Sequence, residues 1–244
     1  MDTTKVVVMK FGGTSLANQE KINHAADLII KKWQSGYLPV VVCSASGNIT
    51  DILLASAHGL AKDPSKRELD MLVSTGERIS AALLSIALIE RRGPAISLTG
   101  SQIGLLTTAD HSNAEIIDIS SKRLSQELEN GKIPVVAGFQ GLGTNKEITT
   151  LKRGGSDITA VFLAKALGAK NVEMYKDVVG VFSADPNQHS DAVLFDKLDY
   201  DAMYERALSG QTVLHPDCVR MAKEHGIKIS VTHVETGVTG TVIC

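Results

Sequence analysis

Three short turns in this sequence combine glycine with hydroxyl and cationic side chains. They read KFGGTS at 10–15, SASGN at 44–48 and KRGGSD at 152–157. Glycine lets backbone N–H groups approach an anion closely, and a helix that starts behind the turn adds unpaired N–H groups and a positive dipole end. Any one of these turns could be only a tight connection. Three of them on one edge of a sheet, two with lysine or arginine, favour a site that handles phosphate.

Several other catalytic and binding motifs are absent from the sequence. There is no GxxxxGK[ST] loop of the P-loop enzymes, and no GxGxxG follows the first predicted strand, which disfavours dinucleotide binding. The sequence contains no HExxH, no CxxC and no GxSxG elbow. The seven histidines show no ligand-like spacing, so we predict no metal-ligating residue.

The composition limits the class of protein. The 244 residues are 43% apolar and 21% charged, with a formal net charge of −2, which disfavours a general nucleic-acid binder. The longest apolar candidate, 81–89, falls short of the roughly 18–20 residues of a membrane span, and no signal peptide is visible. Three scattered cysteines argue against a disulfide framework. We therefore expect a cytoplasmic protein whose partners are neither membranes nor nucleic acids.

Strand-like and helix-like segments alternate along the chain. We predict strands over 5–11, 39–44, 94–98, 133–137, 171–175, 227–232 and 240–244. We predict helices from the Asn18 cap to Trp33, after Asn48, and over 66–91, 114–129, 156–167, 200–208 and 216–225, with a loop or small hairpin over 138–150. This alternation predicts an α/β fold with a parallel sheet covered on both faces, in which ligands bind beyond the C-terminal ends of the strands.

Nine motifs, in order along the chain, make the sequence resemble the catalytic domain of aspartokinases within the amino-acid kinase superfamily. They lie at 10–15, 44–51, 74–79, 99–102, 138–141, 149–157, 175–180, 184–186 and 213–216. The resemblance covers nearly the whole chain. It implies a three-layer αβα sandwich with a central, mainly parallel sheet. It also implies one catalytic domain, in which about 1–145 form an amino-acid-binding lobe and about 146–244 a nucleotide-binding lobe.

The resemblance implies transfer of the γ-phosphoryl of ATP to the β-carboxylate of L-aspartate, giving 4-phospho-L-aspartate for lysine and threonine biosynthesis. Phosphoryl transfer depends mostly on positioning the reactants and on neutralising charge on the transferred group. ATP and Mg²⁺ are the implied cofactors, since Mg²⁺ bridges phosphate oxygens in such sites. The implied partner is a small-molecule substrate, and a homodimer is a family expectation.

On the phosphate side, the resemblance gives Lys10 the role of stabilising charge during transfer. It places Gly12, Gly13 and Ser15 in the first phosphate-binding turn and Ser44 in the second. It further implies that the nucleotide is bound by three residues of the later part of the chain, namely Asp177, Phe182 and Asp185.

On the acceptor side, the resemblance implies that Thr50 and Ser156 contact the substrate. Glu77 would hold its α-ammonium, and Arg153 would bind its α-carboxylate as a bidentate fork. Asp157 would orient the substrate and the catalytic lysines. Without the motif around them, Glu77 and Arg78 would be interpreted as a surface ion pair on a helix.

One departure from the family pattern concerns a phosphate-binding lysine. Many relatives carry lysine immediately before the VLHP motif, where this sequence has Thr212. Lys176 stands instead where many relatives have serine or threonine, as it does in some branches of the family. We hypothesise that Lys176 supplies the catalytic, phosphate-binding charge that Thr212 cannot.

Two alternatives stay open at this point. The acceptor could be an aspartate analogue or another small amino-acid carboxylate of a specialised pathway. The chain could also be a catalytically weak subunit that binds ATP or an amino acid. Aspartokinases usually continue into two small regulatory domains, whereas this sequence stops at Cys244. It is either a standalone catalytic protein or a fragment, and we expect no feedback inhibition of this chain by lysine or threonine.

Overall fold

Runs of apolar and β-branched residues build a central sheet whose strands are buried on both faces. β1 (Val6–Phe11) and β2 (Leu38–Cys43) are buried along almost their whole length. Such burial is typical of parallel strands that are covered by helices. The computed structural model describes residues 2–186, 188–210 and 213–244.

Helices and further strands alternate along the rest of the chain. The helices are α1 (Gln19–Gln34), α2 (Ile49–Leu60), α3 (Lys66–Glu90), α4 (Lys122–Glu129), α5 (Gly155–Leu167), α6 (Tyr200–Leu208) and α7 (Pro216–His225). The other strands are β3 (Ala95–Leu98), β4 (Leu105–Thr107), β5 (Ile116–Ile119), β6 (Ile133–Ala137), β7 (Gln140–Gly143), β8 (Ile148–Thr150), β9 (Asn171–Lys176), β10 (Lys197–Leu198), β11 (Lys228–His233) and β12 (Thr239–Ile243). Asn18 caps α1 as predicted, because its side chain accepts a hydrogen bond from the N–H of Lys21 at 2.9 Å.

Eight of the described strands form the main sheet, in the order β10-β12-β11-β9-β1-β2-β6-β3. Neighbouring strands are parallel except for the antiparallel pair β11 and β12. From β1 the chain moves to β2 on one side and returns later as β9 on the other. The junction of β1 and β9 is therefore a switch point of the sheet, where ligands of α/β proteins bind.

The side chains of each central strand alternate between two apolar cores. Val6 and Val8 of β1 belong to a core with residues of α5 and α7, whereas Val7 and Met9 belong to a core with residues of α1 and α3. The main sheet thus lies between two layers of helices, and the predicted three-layer α/β sandwich is confirmed. Lys10 follows the alternation of Val6 and Val8, so its side chain projects toward α5.

A second, four-stranded sheet in the order β5-β4-β7-β8 corrects one prediction. The region 114–129 is not a single helix: β5 comes first, paired antiparallel with β4, and only then does α4 begin. Isoleucine-rich β5 favours a strand, and pairing with β4 outweighs the helical spacing. The segment 138–150 contains the antiparallel hairpin of β7 and β8.

The long helix α3 is apolar enough, by length and composition alone, to cross a membrane. Half of its most apolar window is buried inside the fold. That degree of burial is typical of a core helix, and α3 packs against α1 and the main sheet.

Candidate active site

Two lysines enter the site from the same face of neighbouring strands. Lys10 of β1 is in register with Met174 of β9, and Lys176 lies two residues beyond Met174. Because side chains alternate along a strand, Lys10 and Lys176 project from one face of the sheet. Lys10 is only 5% exposed, and Lys176 is partly buried.

Asp157 lies in the first turn of α5, where its carboxylate contacts both ammonium groups. Lys10 Nζ contacts Oδ1, and Lys176 Nζ donates a hydrogen bond to Oδ2 at 3.1 Å. Burial alone would raise the pKa of Asp157, but the charges of Lys10 and Lys176 outweigh burial and hold that pKa well below its usual range. Burial lowers the pKa of Lys10, and the Asp157 carboxylate works against that effect. The structure thus brings Lys10 together with the turn at 152–157.

The first two glycine turns pack directly against each other. The N–H of Gly47 donates to the carbonyl of Gly13 at 2.9 Å. A Cβ atom on Gly13 would lie 2.7 Å from the carbonyl oxygen of Ala45, so only glycine fits there without a shift of the backbone. The two turns therefore form one rigid rim beside Lys10.

Three adjoining cavities form one elongated cleft along this rim. The Glu77 cavity, about 610 Å³, and the lysine cavity, about 410 Å³, share Lys10 and Lys176 in their walls. The lysine cavity and the Phe182 cavity, about 480 Å³, share Asp177 and Val213. The two lysines therefore stand at the junction of a polar end and a more apolar end.

The predicted site residues are distributed along this cleft with one exception. The Glu77 cavity is lined by nine of them, Lys10, Gly13, Ser44, Thr50, Glu77, Arg153, Ser156, Asp157 and Lys176. Gly12 and Asp177 line the lysine cavity, and Phe182 and Asp185 line the Phe182 cavity. Ser15 lines none of the three; its hydroxyl donates to the carbonyl of Tyr175 at 3.4 Å, and the residue lines a separate cavity beside α1. Thr212 lies outside the described residues.

Glu77 carries a buried carboxylate oxygen without a hydrogen-bond partner among the described residues. Its Oε1 accepts from the N–H of Ala45 at 3.1 Å, whereas Oε2 is unpaired. Burial raises the pKa of Glu77 to about 7, against the lowering effect of its backbone hydrogen bonds. A cation entering the Glu77 cavity would satisfy this oxygen and favour its ionised form.

Arg153 also lines this cavity, and it is exposed and without an ion pair among the described residues. The next residue, Gly154, is the N-cap residue directly before α5 and has a φ of 81°. A Cβ atom on Gly154 would lie 2.5 Å from the ring of His215, which itself caps α7 by accepting from the N–H of Asp217. The turn that contains Arg153 therefore packs against the start of α7.

Sequence reasoning missed several residues that line the cleft. Phe139, Ser112 and Thr150 line the Glu77 cavity, and Val213 lies between the other two cavities. Phe139, Thr150 and Val213 stood within recognised motifs and were given no role. Ser112 lies in none of the recognised motifs. It stands just before 114–129, the region that was wrongly predicted to be one helix.

The described residues include no group of three or more His, Cys, Asp or Glu side chains that could hold a metal ion. Within that part of the chain, a metal would have to take most of its ligands from a bound molecule or from water.

The sequence comparisons agree with this arrangement. The Amino acid kinase family matches residues 5–233 of the chain. Aspartokinase 2 of Bacillus subtilis (strain 168) is 47% identical over 238 residues, which make up 98% of this chain and 58% of that protein. The chain thus spans little more than half the length of this relative.

Solved structures show the same likeness. Aspartate kinase from Synechocystis is 44% identical with a TM-score of 0.87, and the match covers 97% of this chain and 39% of that one. Aspartokinase III of E. coli, in complex with aspartate and ADP, is 28% identical with a TM-score of 0.89 over 98% of this chain and 64% of that one. On its sequence match and its fold, the chain belongs to the amino acid kinase family.

Proposed function

We propose that this chain transfers the γ-phosphoryl of ATP to the β-carboxylate of L-aspartate, giving 4-phospho-L-aspartate. The relatives that match nearly the whole chain are aspartokinases, and the E. coli relative was solved with aspartate and ADP. The observation that carries the proposal is the Asp157 carboxylate between Lys10 and Lys176, at the junction of the Glu77 and lysine cavities.

The Glu77 cavity has the charges that a free amino acid needs. The unpaired Oε2 of Glu77 suits an α-ammonium, and the guanidinium of Arg153 suits an α-carboxylate. With both ends held, the side-chain carboxylate of aspartate would point toward Lys10, with Thr50, Ser44 and Ser156 along the cavity wall.

The nucleotide would occupy the other end of the cleft. Asp177, Phe182 and Asp185 line the Phe182 cavity together with Val178 and Val179, which gives the adenosine a partly apolar site. The triphosphate would then extend past Gly12 and Gly13 toward the two lysines.

The reaction needs no general base, because the aspartate side chain is ionised at neutral pH. One of its carboxylate oxygens attacks the γ-phosphorus, the bond to the β–γ bridging oxygen breaks, and ADP leaves with that electron pair. Lys10 and Lys176 neutralise charge on the transferred group. Asp157, ionised over the whole working range because of its lowered pKa, holds both ammonium groups in position.

Mg²⁺ is part of the proposal as the metal of the MgATP complex. Because the described residues offer no protein cage, phosphate oxygens and water would hold the ion. When bound, it would supply positive charge that offsets the negative charge of the phosphates.

The two-lobe organisation, the cytoplasmic location and the homodimer are also proposals. The amino-acid lobe would comprise about 1–145 and the nucleotide lobe about 146–244, with Arg153 and Ser156 reaching across from the second lobe. The three cysteines are free thiols. Free thiols are typical of proteins in a reducing compartment such as the cytoplasm.

A hydroxylamine trap tests the proposed function directly. The chain is incubated with ATP, Mg²⁺, L-aspartate and hydroxylamine, and the hydroxamate formed from the acyl phosphate is measured together with ADP. We expect hydroxamate with L-aspartate and none with the Lys10→Met variant. No hydroxamate above the level of that variant would overturn the proposal, whereas a product only with another acceptor would reassign the substrate.

A further inference from the structure

Two of the residues that line the Glu77 cavity have a backbone conformation that is rare outside glycine. Among the described residues, positive φ values occur at four non-glycine positions: Arg92, Ser112, Phe139 and Lys146. Arg92 follows the end of α3, and both Lys146 and Ser112 lie in turns, which are ordinary places for such a residue, but Arg92 and Lys146 do not line the cavity. Ser112, with a φ of 64°, and Phe139 both face the Glu77 cavity. A left-handed non-glycine residue costs on the order of 1 kcal/mol and persists only where its surroundings enforce it.

The carboxylate of Asp70 binds both the backbone and the side chain of Ser112 in this turn. Asp70 lies on α3 and is fully buried. Its two oxygens accept the N–H of Ser112 at 3.0 and 3.1 Å, and Oδ1 also accepts the Ser112 hydroxyl at 3.2 Å. Backbone and side chain of Ser112 are thus held by one group.

The same carboxylate holds a second residue of the cavity wall. Thr150, at the end of β8, donates its hydroxyl to Asp70 Oδ1, and His111 Nδ1 lies 2.8 Å from Oδ2. Among the described residues no lysine or arginine pairs with Asp70. These polar contacts compensate its burial, so removing the carboxylate would leave them all without their acceptor.

The position of Asp70 on α3 connects these contacts to the acceptor end of the cleft. Asp70 precedes Glu77 by seven residues, which is two turns of a helix, so the two carboxylates lie on one face of α3. Glu77 faces the cavity itself, whereas Asp70 holds Ser112 and Thr150 in its wall. The helix therefore carries both a proposed ligand-binding group and the anchor of the wall beside it.

We propose that Asp70 is a positioning residue that fixes Ser112 and Thr150 in the wall of the Glu77 cavity, and so sets its fit to a small amino-acid acceptor. This inference rests on the proposed function. Asp70 acts through Ser112 and Thr150 and does not itself line the cavity. Loss of the carboxylate should weaken acceptor binding and leave the distant nucleotide end unchanged.

The test compares Asp70→Ala and Asp70→Asn with Arg67→Met as a matched control. Arg67 also joins α3 to the second sheet, through Glu147 at 2.8 Å, but this ion pair is half-exposed and does not line the Glu77 cavity. For Asp70→Ala we expect the KM for L-aspartate to rise about tenfold or more, with the KM for ATP and kcat within about threefold of wild type. Asp70→Asn, which keeps one acceptor oxygen, should recover part of the loss, and Arg67→Met should match wild type.

An unchanged KM for aspartate in a folded Asp70→Ala protein, or equal rises in both KM values, would overturn the inference. If Asp70→Ala does not fold, Asp70→Asn carries the same comparison. A wild-type chain that phosphorylates no amino acid refutes the proposed function instead. Hydrogen exchange of the Ser112 amide then decides the inference: Asp70→Ala should speed exchange there and Arg67→Met should not, and equal exchange in all three proteins would contradict it.

Discussion

Lys10 and Lys176, 166 positions apart in the sequence, contact opposite oxygens of the single carboxylate of Asp157. Two ammonium groups so close repel each other unless an anion lies between them. Asp157 supplies that anion in the resting site, and the transferred phosphoryl group would supply a second one. The pair is therefore arranged in advance for an anionic ligand.

Removal of the second lysine tests its share in the chemistry. Lys176→Ala should lower kcat/KM about tenfold or more, because one cation at the transferred group is lost, and tenfold corresponds to about 1.4 kcal/mol. Steady-state kinetics with ATP as the varied substrate give this value. The control is Lys170→Ala, which should match wild type. Lys170 is exposed and directly precedes the first residue of β9. A loss within about threefold for Lys176→Ala would refute the hypothesis that Lys176 replaces the family lysine.

Asp157→Asn should cost both stability and activity. The substitution leaves two ammonium groups without their buried counter-charge, and breaking such a buried pair typically costs about 3–5 kcal/mol. Urea unfolding measures the change. Asp201→Asn removes an exposed partner of Lys223 and should cost less than about 1 kcal/mol. Equal unfolding free energies for the two variants would show that the Asp157 contacts contribute no more than a surface ion pair.

Glu77 should make acceptor binding depend on pH. Its pKa is raised to about 7, so at lower pH the carboxyl is protonated and cannot pair with an ammonium. We expect kcat/KM for L-aspartate to rise with pH through about 7, and Glu77→Gln to lower it about 30-fold or more, equivalent to about 2 kcal/mol. A pH-independent kcat/KM across that range would contradict this role.

The same group should show the opposite trend in stability. Because the folded pKa of Glu77 lies above the unfolded value, the native state binds its proton more tightly, and stability falls as pH rises from about 4.5 to about 7. The Glu77→Gln variant has no ionisable group at this position, so its stability should not fall in this way as pH rises. Its Tm should therefore exceed that of wild type more at about pH 8 than at about pH 5, as thermal unfolding without ligand can measure. An identical Tm difference at both values would argue against a buried, uncompensated carboxylate.

Comparing Gly154→Ala with Gly36→Ala distinguishes the cost of backbone strain from the cost of a steric clash of the new Cβ atom. Both glycines have a similar positive φ, 81° and 85°, but only at Gly154 would a Cβ meet a neighbour, the His215 ring. Gly36→Ala should cost about 1 kcal/mol, and Gly154→Ala about 1–3 kcal/mol more. Gly154→Ala should also raise the KM for L-aspartate, because it displaces Arg153. Equal stability losses in urea unfolding would indicate that the His215 ring moves aside freely.

Long, two-sided apolar runs made most of the main sheet predictable from the sequence. β1, β2 and β6 are buried along all or almost all of their length and were predicted at nearly their observed ends. The second sheet was not predicted as a sheet, since β4 has only three residues and β5 is stabilised by pairing with β4. Such short strands depend on distant partners more than on their own residues.

The lysine–aspartate cluster of the cleft could be predicted from the sequence, whereas the wall of the Glu77 cavity beside α3 could not. Lys10 and Asp157 stand in glycine-rich turns with a clear physical reason to bind phosphate, and they do meet. Asp70 and Ser112 gave no such signal, because a single aspartate in an apolar helix has many interpretations. Their relation depends on how the second sheet folds against α3, which no local pattern encodes.

The strand order β9-β1-β2 also bears on how the polypeptide can be divided. If the chain were cut near the β7–β8 turn, β1 would become an edge strand in the sheet of the first piece and would expose one full row of unpaired N–H and C=O groups. The second piece contains β9, the strand that pairs with this edge of β1 in the intact protein. Two separately made halves should therefore reassemble on mixing, with the pair of lysines restored only in the reunited protein.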